Sequence, residues 1–189
     1  MRGRRVSLTF IKILLSIPIG VALAYSFIGP AGGGILGEIQ TLGTAGAMLA
    51  TGVFLALVYL YAGDLKRSLK LVSPAARKAN PNSVWLMFLL PYNFIEDFFI
   101  IANVGKSIEA EAHANTALSG LKTFGFASGY GWCVAQIVSL IPNDLGSVAG
   151  LIAIAFWIRH WAFIRRANRA LARSQAGRSI GAREELRAS

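Results

Sequence analysis

Cysteine and histidine are nearly absent from this chain: Cys133, His113 and His160 are the only ones in 189 residues. One thiol excludes an intrachain disulfide and any cysteine-cluster metal centre, and leaves the redox compartment open. Acidic side chains are also few, nine Asp and Glu against nineteen Lys and Arg. No phosphate-binding glycine loop, HExxH, GxSxG or CxxC occurs. With so few nucleophiles, bases and ligands, neither an enzyme nor a cofactor is expected, and a lipid-modifying enzyme ranks below two other function classes. Charge as a whole is scarce, at 15% of residues against roughly 25% in soluble domains.

Apolar residues fill the space: 54% of the chain is hydrophobic and the mean hydropathy is +0.54. Four stretches can cross ~30 Å of hydrocarbon as helices of about 20 residues. They lie at about 6–28, 40–62, 123–141 and 146–164. The first follows "MRGRR" and contains Lys12 and Pro18; it reads as an uncleaved anchor whose lysine snorkels to the basic side. The net charge of +10 would suggest nucleic acid in a soluble protein. Here the basic residues flank apolar runs, as the membrane charge rule requires, so no nucleic-acid partner is expected.

A fifth apolar stretch, "FLLPYNFIEDFFIIANVGK" at 88–106, decides the topology. If 84–104 crosses, the nineteen basic residues split nine to ten between the two sides. If it does not, all nineteen fall on one side, and that side is the cytoplasm. Two carboxylates in mid-bilayer would add ~2.5–3.5 kcal/mol each. The segment at about 84–112 is therefore expected to dip at "VWLMFLL", turn at Pro91 and return as an interfacial or re-entrant amphipathic helix on the cytoplasmic face. Asn93 and Glu96 have capping-box spacing there. Phe94, Phe98, Ile101, Gly105, Ile108 and Ala112 mark its apolar stripe, with Glu96, Asn103, Lys106, Ser107 and His113 on the other side.

The resulting fold class is an all-α integral membrane protein. Four transmembrane helices form two hairpins in one membrane domain, 1–172, followed by a basic, frayed cytoplasmic tail at 173–189. Glu96 and Asp97 are the sharpest candidates for function, as proton or cation carriers, or for structure, as ion-pair partners of Lys12 or Arg159. Arg159 and His160 lie in "WIRHW", which reads as an interfacial aromatic belt. A haem, quinone or anionic headgroup at that spot is the sharper option. Gly125 with Gly129, and Gly146 with Gly150, are GxxxG pairs that allow close helix packing.

The function this supports is an accessory, scaffold or assembly component of a membrane complex or lipid domain in a bacterial inner membrane, with both termini cytoplasmic. Its partners would be anionic lipid headgroups and other membrane proteins or further copies of itself. The alternative is a small oligomeric channel or transporter using Glu96 and Asp97 near its cytoplasmic mouth.

Overall fold

Apolar periodicity carries helix further along the chain than hydropathy alone suggests. The computed structural model describes residues 2–28, 38–39 and 41–188, with side chains over 7–25, 38–39 and 41–177. The glycine-rich connector expected at the outer face lies mostly outside the described residues. Every regular element among them is helical: α1 (Arg2–Ile28), α2 (Gly43–Leu71), a 3-10 segment (Pro81–Phe88), α3 (Asn93–Ala112), a short 3-10 turn (Thr116–Leu118), α4 (Phe126–Val138) and α5 (Asp144–Ala188). Among the described residues three helices are long and apolar enough to cross a membrane, within Ser7–Tyr25, Gly43–Leu71 and Asp144–Gly177. The architecture of the described residues is thus all-helical.

The span expected at 123–141 is shorter than its apolar run. Residues 123–125 are not helical, and Gly125 has φ +79°, a left-handed conformation open to glycine. α4 therefore has 13 residues, or ~20 Å at 1.5 Å per residue.

α2 extends past residue 62. Tyr61, Ala62, Leu65, Ser68 and Leu69 continue one buried face into the basic segment, and Pro74 lies three residues beyond the helix end. α5 does not stop near Arg173. It continues to Ala188, and Ser174 and Gln175 dock on Asn115 and the Leu71 carbonyl at 3.0 and 2.7 Å.

α3 differs most from expectation. Phe94, Ile101, Gly105 and Ile108 of its stripe are buried, but so are Glu96 and Ser107 from the side expected to be wet, along with Asp97 and Glu111. It does not lie along a surface, because α1, α2, α4 and the 3-10 segment all pack on it. Its buried polar groups are tolerated where they find partners. The Ser73 amide donates to Glu111 at 2.8 Å, and the Lys78 amide donates to Ser107 at 2.9 Å.

The 3-10 segment and α3 form a hairpin whose tip is Leu89, Leu90 and Pro91, with Phe88 and both leucines exposed. Pro91 packs against Gly20, about two-thirds of the way along α1. From the tip α3 returns to the end of α2, where Glu111 meets Ser73. α4 runs antiparallel to α3, as Phe126 lies over Gly105, Ile101 over Gly129 and Gln136 on Asp97. The main core lies between the second half of α2, α3, α4 and the middle of α5. A smaller cluster of Ile19, Phe94 and Leu140 joins α1 to the hairpin tip.

Candidate functional site

The two acids of α3 have separate surroundings. Neighbouring helix positions point about 100° apart, so Glu96 meets α1 while Asp97 meets α4. Lys12 Nζ donates to Glu96 Oε2 at 2.6 Å and lies 3.8 Å from the Phe99 ring centre. With 15% of the Lys12 side chain and 8% of the Glu96 side chain exposed, this is a nearly buried ion pair with a cation–π contact. Tyr92 sits beside Glu96; burial and then the Glu96 charge push its hydroxyl up to about 12.

The expected cap does not form. Tyr92, just before α3, is already helical at φ −58°, ψ −31°. The amides of Asn93, Phe94 and Glu96 bond to the carbonyls of Leu89, Pro91 and Tyr92. A side-chain cap needs free first-turn amides and a non-helical cap residue, and neither is present. Asn93 Oδ1 is instead buried without a partner.

Asp97 is 1% exposed. Gln136 Nε2 donates to its Oδ2 at 3.1 Å, and its Oδ1 has no hydrogen-bond partner. Burial pushes this carboxyl up to about 8, against the Gln136 bond and helped by the Glu96 charge. Among the described residues no cation is paired with it, since the neighbouring Lys12 is taken by Glu96.

His160 does not belong to a surface belt. It is 2% exposed, and its Nδ1 shares a hydrogen bond with the Tyr61 hydroxyl at 2.8 Å. Trp132, Trp157 and Trp161 pack edge-on around the Tyr61 ring. The chain matches no protein-family model, no curated protein and no solved structure. Arg159, next to His160, points outward and is exposed. His160 is thus enclosed, while Arg159 leaves a cation open at the same spot.

Gly125 and Gly129 lie beneath this ring system. A Cβ on Gly129 would strike Ile101 of α3 and come within 3.0 Å of His160, so α3, α4 and α5 meet at this glycine. A Cβ on Gly125 would meet Phe163 at 2.6 Å. Gly146 has a different role: its Cβ would strike the Ile141 carbonyl, and its amide donates to Asn143 at 3.2 Å. It serves the α4–α5 turn. Gly150 is buried on α5.

A second polar ladder joins α2 to α5. Trp161 Nε1 donates to Asp64 at 2.7 Å, Asn168 Nδ2 donates to the Asp64 carbonyl at 2.9 Å, and Ser68 donates to Asn168 at 2.7 Å. Sequence reading misses Gln136, Tyr61 and this ladder. Gln136 had a signal, as the only amide side chain in the 123–141 run. Tyr61 had none, because an aromatic at the end of an apolar run reads as an interfacial anchor.

Proposed function

We propose that this chain is a non-enzymatic, polytopic inner-membrane protein that serves as an accessory, scaffold or assembly component of a membrane complex or lipid domain. In this reading α4 completes a fourth span, so α1–α2 and α4–α5 form two hairpins with both termini in the cytoplasm of a bacterial cell. The 3-10 segment and α3 dip into the bilayer to the depth of Gly20 and return.

The observation that carries the proposal is the uncovered face of α2. Thr44, Met48, Thr51 and Leu55 lie on an exposed, open groove with Ala47 and Gly52. Small residues at this spacing let another helix approach closely. The partners are other membrane proteins or further copies of this chain. Anionic headgroups are held by exposed Arg67, Lys70, Arg166 and Arg169 on the inner ends of α2 and α5, at ~1 kcal/mol each. The transport alternative draws on buried Asp97, but Glu96 is committed to Lys12.

The test is purification of the full chain in mild detergent, with the protein mass in the particle measured by light scattering. A mass above one 20.2 kDa chain is expected, returning to one chain in Gly52→Leu. A monomer that carries cation or proton flux in vesicles would overturn the proposal in favour of transport.

A further inference from the structure

Among the described residues four buried side-chain atoms lack a hydrogen-bond partner, and two of them belong together. Asn93 Oδ1 and Asp97 Oδ1 are both acceptors and lie four residues apart on α3. That spacing puts their side chains one above the other, with ~5–6 Å between Cβ atoms. The other two, Arg77 Nε and Trp157 Nε1, are donors on the α2–α3 connector and on α5. A buried acceptor without a donor is costly, and a buried unpaired charge is costlier. One proton on Asp97 Oδ1 would remove the charge and supply Asn93 Oδ1 with a donor.

We propose that Asn93 and Asp97 form a proton-binding site, in which Asp97 is a neutral carboxylic acid whose hydroxyl donates to the side-chain oxygen of Asn93. Among the described residues the surroundings provide no competing cation. Lys12 from α1 bonds to Glu96, the adjacent acid on α3 itself. Tyr61 from α2 shares its hydrogen bond with His160 of α5. On α4, Gln136 donates a neutral hydrogen bond to the other Asp97 oxygen, and Cys133 is buried nearby. Tyr92, at the hairpin tip, faces Glu96. Asp97 is thus a buried acid with a neutral donor on one oxygen and a neutral acceptor beside the other. The site stands independently of the accessory role, since it needs no partner chain.

Infrared spectroscopy of the full chain in detergent tests this directly. Near pH 7 the expected spectrum contains one protonated-carboxyl band that shifts on exchange into deuterated water. Carbon-13 labelling of aspartate should move that band, assigning it to an aspartate without any substitution. Asp97→Asn should remove it and Glu96→Gln should retain it. Asn93→Ala should keep the band but raise its frequency, because the hydroxyl loses its acceptor. An absent band near pH 7, or one that follows Glu96 instead, would overturn the site. So would an unchanged frequency in Asn93→Ala, since the proton would then not be shared. Loss of the band when sodium is added at constant pH would mean that the oxygens hold a monovalent cation instead.

Discussion

The two halves of α2 share one helix and one hydrophobic character, yet they meet different surroundings. Over 43–57 the large apolar side chains point outward: Met48 is 72% exposed and Leu49 69%. Over 61–71 Tyr61, Leu65 and Leu69 are almost entirely enclosed by α3, α4 and α5. The difference lies on the opposite face. The second half also carries Asp64, Lys66, Arg67 and Lys70, so it is amphipathic and must bury its apolar stripe in protein. The first half has no charge and is apolar all round, and a bilayer can solvate it on every side. Hydropathy reports how much apolar surface there is; only its distribution around the helix tells protein from lipid.

Two glycines provide the strongest test of that contrast. Gly129 sits where three helices meet, whereas a Cβ on Gly52 would have nothing within 4 Å. Gly129→Ala should cost about 1–3 kcal/mol from overpacking, and Gly129→Leu should prevent folded protein from accumulating. Gly52→Leu should leave the monomer's melting temperature within the change expected of ~1 kcal/mol or less, because only helix propensity is altered. Fluorescence-detected size exclusion after heating measures both. Equal sensitivity of the two sites would end the distinction between a packed half and an exposed one.

The Lys12–Glu96 pair is the next largest effect, because it fastens α1 to the packed half. Removing one partner strands the other in a nearly dry position, where such losses reach about 3 kcal/mol. Lys12→Met should be the worse single change, since it leaves the Glu96 carboxylate without its cation. Lys12→Met combined with Glu96→Gln should recover much of the loss, a coupling measurable by a double-mutant cycle of unfolding. Strict additivity would make the 2.6 Å contact energetically idle.

These contrasts also mark what the sequence makes legible. The continuation of α2 is written in Val58, Ala62, Leu65, Leu69 and Val72, at spacings of 3 and 4. A window that stops at Lys66 misses it because charge lowers the average. Lys12 and Glu96 are each visible as charges inside apolar runs. That they meet across a sequence separation of 84 depends on tertiary packing, which periodicity does not encode. The capping spacing of Asn93 and Glu96 has the right residues, but the turn through Leu89–Tyr92 already occupies the first amides of α3. The burial of His160 was hidden for a similar reason. Tryptophan on either side of a basic pair looks like a membrane boundary until Tyr61, from another helix, closes over the ring.

The smallest expected offset, found only at acid pH, contrasts neighbours one residue apart. Glu96 has a cation and Asp97 has none, so neutralising each should act in opposite ways. Below pH ~4, where folded and unfolded chains both hold the Asp97 proton, Asp97→Asn replaces a neutral acid with a neutral amide of the same shape, and stability should change by about 1 kcal/mol or less. The pH dependence then separates the two acids. Burial raises the folded-state value of Asp97 from 3.8 to about 8. Below pH ~4 both folded and unfolded chains hold this proton. As pH rises from ~4 toward ~8, the unfolded chain releases it while the folded chain retains it. The folded state then binds more protons, and stability falls with pH through that window. Above ~8 both forms are ionised and the slope vanishes. Asp97→Asn removes this component, so the variant should gain on the parent protein steadily from pH 5 to pH 8. Glu96→Gln should lie below the parent while the ion pair is charged. Melting curves of the three proteins across that range decide the matter. A constant offset between Asp97→Asn and the parent would mean that Asp97 ionises like an ordinary surface acid, and the unequal environments of the two carboxylates would have no thermodynamic consequence.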